Sequence, residues 1–297
     1  MRKAFTLVEM LVVIGIIAVL VALLVPAAGM AVSRTRNFNM TAEISQLATA
    51  IERYKNEKGD YPPSMGEDYT TGNRYNTVAE KHLRKCYPKM TSAAKDYFYD
   101  NIAPLLTGDE ALVFWLSLTQ NDERNPFTST AKNFKQFYDF KADRLFDPDG
   151  DSFPSYKAAY AGETAYVYLD SRTYLLHQYA STAPGGVVQA YGHSGRAAEI
   201  LAMNDPASPQ YVALPPANPE RQQEIDRRKR YQYMNQTTFQ ILCAGQDREF
   251  GAAADQFDTI SNATGLRQFI QGIGYSDEDE DNLANFSEGR RLADHIP

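Results

Sequence analysis

The chain has few of the residues from which enzyme sites are usually built. It holds four histidines, two cysteines and one tryptophan among 297 residues. No histidine stands at metal-ligand spacing from another histidine or a cysteine. The sequence contains no P-loop and no G-x-G-x-x-G motif. The segment 192–195 does not satisfy the G-x-S-x-G pattern of a nucleophile turn, so a loop is predicted there. With no catalytic constellation, we do not expect an enzyme.

Positive charge is also scarce. Lys and Arg total 30 against 37 Asp and Glu, and the formal net charge is -7. Proteins that bind nucleic acid usually carry a basic footprint, so nucleic acid is not an expected partner. The 43% hydrophobic and 23% charged composition permits a packed core. The length suits one large domain or two modest ones, together with an N-terminal membrane element.

The cysteines leave two alternatives open. If most of the chain lies outside the cytoplasm, a single disulfide between Cys86 and Cys243 is plausible. The other alternative is a pair of unpaired buried thiols. The sequence favours neither.

A long uncharged apolar run follows a short basic leader. No charged side chain occurs from Met10 to Ser33, and Glu9 stands at the head of the run. As a helix, residues 10–28 would span about 28 Å, close to the ~30 Å hydrocarbon core of a membrane. The run could be a signal peptide cleaved near 27–29, a simple anchor, or a helix kept after processing upstream. Glu9 favours the third interpretation, because the first two have no use for a carboxylate that costs roughly 2.5–3.5 kcal/mol in a membrane centre.

The apolar run continues into an amphipathic segment. Between positions 34 and 58, apolar residues recur at spacings of three and four: Ile44, Leu47, Ile51 and Tyr54. The segment 59–63 then stops the helix. One helix is therefore predicted from Phe5 to Lys58, about 80 Å long, with a lipid-soluble first half and a second half that can lie on a domain.

The rest of the chain predicts an α+β fold. Segment 59–135 is expected to be a helical or irregular insertion, with a short buried helix at 111–116. Segment 136–297 is expected to form a small antiparallel sheet with long loops and an acidic C-terminal loop. The predicted elements are strands at 165–169, 173–176 and 239–243, a proline-rich loop at 206–219 and a charged helix at 220–231.

The N-terminal pattern resembles type IV prepilins and type II secretion pseudopilins. The matching residues are the leader Met1-Arg2-Lys3-Ala4, the segment Phe5-Thr6-Leu7-Val8-Glu9-Met10-Leu11 and the later Pro26. In that family a prepilin peptidase cuts just before the Phe and methylates the new amine. The resemblance therefore implies cleavage between Ala4 and Phe5 and N-methylation of Phe5. Ala4 replaces the usual Gly and is small enough to be tolerated. The implied divisions are a leader at 1–4, a transmembrane half at 5–33 and an amphipathic half at 34–58, packed pilin-like on the sheet.

The resemblance also implies a partner for Glu9. In the family this Glu pairs with the N-terminal amine of a neighbouring subunit in the filament core, which makes the charge tolerable. The implied partners are further copies of the chain, other pseudopilins, the inner-membrane assembly platform and prepilin peptidase. The implied location is a single pass of the inner membrane. The N-terminus is cytoplasmic before processing, and the C-terminal domain is periplasmic or extracellular. The implied function is structural: a subunit of a secretion pseudopilus or pilus-like filament that supports protein secretion.

Two alternatives remain. One is a minor, tip-located pseudopilin that initiates assembly, favoured by the extra residues at 62–135 and 180–235. The other is a membrane-anchored extracytoplasmic enzyme or binding protein, which no catalytic constellation supports.

The soluble part more loosely resembles the major pseudopilin branch, in the turn at 147–150, in 241–251 and in 279–286. In that branch a C-terminal loop binds calcium. By position, the implied Ca²⁺ ligands are Asp247, Asp279 and Asp281. The alternative is a solvated loop, because the five acidic residues at 277–281 repel one another.

A second acidic segment, Asp147-Pro148-Asp149-Gly150-Asp151, resembles the opening of an EF-hand. The glycine expected at its sixth position is Ser152, and the glutamate expected at its twelfth is Ala158. An EF-hand is therefore not predicted, and a turn stabilised by Asp side chains is predicted instead.

Overall fold

A computed structural model of the chain describes residues 7–67, 69, 74, 77–118, 122–127, 137–174, 178–179, 187–188, 190–192, 234–251, 267–268 and 277–294. The leader and processing residues 1–6, the predicted loop at 206–219 and the predicted helix at 220–231 lie outside the described residues.

A single helix, α1 (Leu7–Lys58), confirms the long N-terminal helix predicted from the sequence. Its 52 residues correspond to about 78 Å. The C-terminal half buries a stripe of six residues, Met40, Ile44, Leu47, Ala50, Ile51 and Tyr54. The four predicted positions are among these six. Gly59 ends the helix in the left-handed region, and its N–H donates to the carbonyl of Lys55 at 2.7 Å.

Three short helices follow, α2 (Val78–Cys86), α3 (Ser92–Asn101) and α4 (Gly108–Ser117). The hydroxyls of Thr77 and Thr91 accept backbone N–H groups in the first turns of α2 and α3, which fixes where those helices begin. In α4, which contains the predicted buried segment, Trp115 is fully buried and lies edge-on to Tyr54 of α1. The insertion therefore packs on the buried half of α1.

Short strands form four small sheets within the described residues. Their bounds are β1 (Leu145–Phe146), β2 (Ser155–Tyr156), β3 (Val167–Asp170), β4 (Gln178–Tyr179), β5 (Val187–Val188), β6 (Tyr191–Gly192), β7 (Phe239–Cys243), β8 (Arg267–Gln268) and β9 (Leu283–Ala284). The largest sheet is antiparallel in the order β3-β7-β9, with Val167 opposite Leu242 and Cys243 opposite Leu283. β1 pairs with β2, and β4 with β5, also antiparallel. Together with α1 these sheets confirm the α+β, pilin-like fold.

The strand predicted at 173–176 is wrong in its described part. The chain forms a 3₁₀ turn at Ser171–Thr173 instead, because the carboxylate of Asp170 accepts the backbone N–H of Arg172. β3 therefore pairs with the distant β7 rather than with the segment that follows it. β6 and β8 also differ from the expected antiparallel pattern. They pair in parallel, which the long connection between them permits.

Candidate assembly site and acidic loop

Glu9 lies in the first turn of α1 and is exposed on the surface of the single chain. The positive end of the helix dipole lies at this terminus and favours a carboxylate. Ala4 and Phe5 lie outside the described residues, so their relation to Glu9 stays a prediction.

The N-terminal half of α1 exposes apolar side chains around its whole circumference. Large apolar residues between Leu7 and Val32 are 44% to 79% exposed. A helix that is apolar on every side is stable when lipid or other helices surround it. By length and composition α1 can cross a membrane, and its place near the N-terminus fits a membrane anchor.

Gln246 holds the point at which α1 leaves the domain. Its amide nitrogen donates to the carbonyl and hydroxyl oxygens of Ser33, at 3.0 Å and 2.8 Å, and to Oδ1 of Asn37 at 2.5 Å. One turn further on, the hydroxyl of Thr41 donates to the carbonyl of Gly289 at 3.5 Å. The segment after β7 and the C-terminal segment thus contact α1 at the boundary between its exposed and buried halves.

Asp281 shapes the turn that carries Gln246. Its Oδ2 accepts the backbone N–H groups of Gln246, at 2.6 Å, and of Asp247, at 3.1 Å. Its Oδ1 is buried and accepts no hydrogen bond from the described residues. Gly245 is needed here, because a Cβ at this position would overlap the carboxylate of Asp281. Burial, with the nearby charge of Asp281, raises the pKa of Asp247 to about 6.

Asp279 faces other partners. It is fully buried, and its Oδ1 accepts from the hydroxyl of Tyr191 at 2.6 Å, from Nδ2 of Asn282 at 3.1 Å and from the N–H of Gly251 at 3.3 Å. The structure therefore brings Asp247 and Asp281 together, whereas Asp279 belongs to a hydrogen-bond network around Tyr191. Calcium ligation by the three carboxylates stays a prediction.

Sequence analysis did not identify a largely buried ion pair that joins α1 to the first strand pair. Arg144 donates to both carboxylate oxygens of Glu43, at 2.6 Å and 2.7 Å. Three tyrosine hydroxyls donate to the same carboxylate: Tyr138, Tyr156 and Tyr166. Burial alone would raise the pKa of Glu43, but hydrogen bonds from Arg144 and Tyr166 hold it below the usual value. The sequence signal that could have identified this ion pair is the position of Glu43, a carboxylate directly before Ile44 of the apolar stripe.

A family model described as the prokaryotic N-terminal methylation motif matches residues 1–25. This motif marks type IV prepilin-like proteins. The chain therefore begins with the N-terminal motif of type IV prepilin-like proteins. No curated protein and no solved structure matches it.

The match confirms the resemblance drawn from the leader, Glu9 and the apolar run. A prepilin-like motif implies processing by a peptidase, association with a membrane and assembly with pilins into a filament. It indicates a structural protein. Since the match ends at residue 25, it does not distinguish among the branches of the family.

Both cysteines are free thiols, so of the two alternatives left open by the sequence the structure has the unpaired thiols and not the disulfide. Cys86 Sγ lies 3.3 Å from the carbonyl oxygen of Lys58, and Cys243 Sγ lies 3.9 Å from Sδ of Met40. Along α1, Met40 and Lys58 are separated by about 27 Å of helix rise, so the two thiols contact distant parts of a rigid element. Burial raises the pKa of Cys86 to about 12.

Proposed function

We propose that this prepilin-like protein is a structural subunit of a type II secretion pseudopilus or a related type IV pilus-like filament. Prepilin peptidase cleaves between Ala4 and Phe5 and methylates Phe5. The subunit then spans the inner membrane, with its domain on the periplasmic or extracellular side. Copies polymerise from the membrane, together with other pseudopilins and the assembly platform, and support protein secretion.

The observation that carries this proposal is the apolar surface around the N-terminal half of α1. The exposed run from Leu7 to Val32 requires a cover that the described residues of its own domain do not supply. Lipid covers it before assembly, and the equivalent helices of neighbouring subunits cover it in the filament. Exchange between these two environments changes little in hydrophobic energy, so the helix can leave the membrane when the filament takes it up.

The continuity of α1 supports a mechanical role. The same helix continues from the exposed half into the half that is buried on the domain. Gln246 holds the boundary, and the ion pair between Glu43 and Arg144 lies a few turns further on. A force on one half is therefore transmitted to the other, which a subunit that moves out of a membrane requires.

Glu9 provides the contact between subunits. After cleavage, the amine of Phe5 is cationic, and the carboxylate of a neighbouring subunit neutralises it inside an apolar filament core. A buried charge left without its partner costs several kcal/mol, so this pairing selects subunits in the correct register.

Two measurements test the proposal. Mass analysis of the mature N-terminus is expected to give an N-methylated Phe5, whereas a start near Gly29 or Met30 would overturn the proposal. The variant Glu9→Ala is expected to insert into the membrane as the wild type does but to be absent from sheared filaments. Glu288→Ala, which removes an exposed carboxylate from the domain, serves as the matched control. Normal filaments from Glu9→Ala would contradict the role given to Glu9.

A minor, tip-located subunit is the second candidate. The helices α2, α3 and α4 enlarge the domain between α1 and the sheets, and a subunit at the tip has room for such additions. Quantitative mass spectrometry of purified filaments separates the two roles. A repeating subunit is present in many copies per filament, and a tip subunit in about one copy.

Calcium at the C-terminal loop forms a further part of the proposal. Asp247 and Asp281 offer adjacent carboxylates, and the buried Oδ1 of Asp281 has no hydrogen-bond partner among the described residues. Oxygen ligands of this kind suit Ca²⁺. Asp279 supports the same loop through Gly251 and Asn282. An ion between Asp247 and Asp281 would stabilise the turn that presents Gln246 to α1.

Thermal unfolding with and without Ca²⁺ tests this site. Calcium is expected to raise the Tm of the full chain in detergent, and Asp281→Asn is expected to lose part of that rise. Asp277→Asn, which changes an exposed carboxylate of the same acidic run, is expected to keep it in full. Equal calcium responses in the two variants would remove the C-terminal loop as a calcium site.

A further inference from the structure

Three carboxylates from two distant segments converge at the junction of the helical insertion and the first strand pair. Glu110 belongs to the first turn of α4, while Asp149 and Asp151 belong to the turn between β1 and β2. Each residue offers a carboxylate oxygen, and these oxygens all lie within 4.8 Å of one another. Exposed acidic groups often lie together without an ion, so the buried members of this cluster decide whether it is a site.

Hydrogen bonds within the turn explain the position of Asp147. Its Oδ1 accepts the N–H of Gly150 at 2.8 Å, and its Oδ2 accepts the N–H of Ser152 at 2.9 Å. Both oxygens of Asp147 are therefore used by the turn. Asp151 accepts the N–H of Phe153 through Oδ1 at 2.8 Å, which uses only one of its two oxygens. The predicted Asp-stabilised turn is confirmed, and it leaves one oxygen of Asp151 to be explained.

Glu110 is the most constrained member of the cluster, with 0% of the residue exposed. Its Oε2 accepts the backbone N–H of Thr107 at 2.8 Å and the hydroxyl of Thr107 at 2.7 Å. Its Oε1 is buried and has no hydrogen-bond partner among the described residues, and the same holds for Oδ2 of Asp151. Burial, with the charges of Asp109 and Asp151, raises the pKa of Glu110 to about 8. A buried polar atom left without a partner costs about 1–3 kcal/mol, and a charged one more, so a ligand is the expected complement.

We propose that Glu110, Asp149 and Asp151 bind a calcium ion. The donors are all carboxylate oxygens, which suit a hard divalent cation. Calcium binds oxygen at about 2.3–2.6 Å, so two ligands on opposite sides of the ion lie about 4.6–5.2 Å apart. The spacing within the cluster meets this limit. Asp149 is exposed, so water can complete the coordination from the solvent side.

This site also accounts for the incomplete EF-hand pattern in the turn. An EF-hand takes a glutamate from the twelfth position of its own loop, where this chain has Ala158. Here α4 supplies the glutamate from a separate segment. The ion would connect the insertion to the β1–β2 turn, beside the hydrogen bond from Ser155 Oγ to Asp109 Oδ2 at 2.6 Å.

Calcium titration of the full chain in detergent, after removal of metal with a chelator, tests the proposal. The variants Glu110→Gln and Asp151→Asn keep an oxygen for Thr107 and Phe153, so both are expected to fold. Each is expected to weaken Ca²⁺ binding at one site by about tenfold or more. Asp143→Asn, an exposed carboxylate just before β1, is the matched control and is expected to leave binding unchanged.

The outcomes separate this site from the one at Asp281. The proposal is supported if Glu110→Gln and Asp151→Asn each lose one bound ion per chain while Asp281→Asn retains that ion. This holds whether or not the C-terminal loop binds calcium. Unchanged binding in both Glu110→Gln and Asp151→Asn overturns it. Circular dichroism of each variant identifies a failure to fold. In that event Asp149→Asn, which changes an exposed side chain, decides by the same criterion.

Discussion

Arg144 binds Glu43 through two guanidinium nitrogens, at 2.6 Å and 2.7 Å, across 101 positions of sequence. The two side chains are only 17% and 12% exposed. This bidentate pair attaches α1 to the segment that leads into β1. Because such a pair has given up most of its hydration, its two members depend on each other.

Replacing Arg144 with Ala is expected to destabilise the domain by about 3 kcal/mol, since it leaves the carboxylate of Glu43 without its cation. Arg291→Ala is the matched control. Its partner Asp294 and Arg291 itself are about half exposed, and loss of such a pair costs about 1 kcal/mol or less. Chemical unfolding of the full chain in detergent measures both values. Equal losses in the two variants would show that the Glu43 pair has no special weight.

His82 is expected to make the stability of the folded domain depend on pH. Its Nδ1 lies 3.2 Å from Oδ2 of Asp60, and its Nε2 lies 2.9 Å from the hydroxyl of Tyr54. The ring stacks on Tyr54 and meets Trp115 edge-on. Burial lowers the pKa of His82, although Asp60 opposes this shift, and the charges of Arg172 and Lys85 reinforce it. The neutral ring can donate from Nδ1 to Asp60 and accept from Tyr54 at Nε2.

The sign of the effect follows from proton binding. Below a pH of about 6.5 the unfolded chain protonates His82 while the folded chain does not, so stability falls as pH decreases toward the folded pKa. The limiting slope is about 1.4 kcal/mol per pH unit. His82→Gln retains hydrogen-bonding groups but does not titrate. Unfolding midpoints at pH 7.5 and 5.5 are expected to differ more in the wild type than in this variant. The same difference in both would contradict a neutral buried His82.

The long helix could be predicted because its signals are local. The spacing of Ile44, Leu47, Ile51 and Tyr54 and the stop at Gly59 are properties of neighbouring residues, and all agree with α1. The strand at 239–243 was predicted for the same reason. Its pairing with β3 was not, because a short-range turn after Asp170 diverts the chain from the expected hairpin.

The sites depend on contacts between distant segments, which a sequence pattern does not contain. The turn that carries Asp149 was predicted from the sequence, but nothing local places Glu110 beside it. The pair of Arg144 and Glu43 is equally remote. The cysteines are the opposite case: their number permits a disulfide, but contacts between distant segments exclude it. The two thiols contact distant parts of the rigid α1 helix, which keeps them apart.

A side chain at position 245 is expected to clash with its neighbours in the C-terminal loop. A Cβ at this position would overlap the carboxylate and the carbonyl oxygen of Asp281, both of which must move to accept it. Gly245→Ala is expected to cost about 1–3 kcal/mol of stability, the usual range for overpacking. Gly29→Ala is the control, because no atom beyond the neighbouring residues and backbone of its own helix lies within 4 Å of the added methyl group. Thermal unfolding compares them, and an unchanged Tm in Gly245→Ala would mean that the loop repacks freely.

Replacement of Gln246 is expected to change protease sensitivity where α1 leaves the domain. Gln246→Ala removes the hydrogen bonds to Ser33 and Asn37, which flank Arg34 and Arg36. Loss of about 1 kcal/mol here raises the open population about fivefold, so trypsin is expected to cleave after these arginines about fivefold faster. Glu249→Ala, an exposed change in the same loop, is the control. If both variants are cut at the wild-type rate, other contacts hold the boundary, and Thr41 with Gly289 becomes the next pair to change.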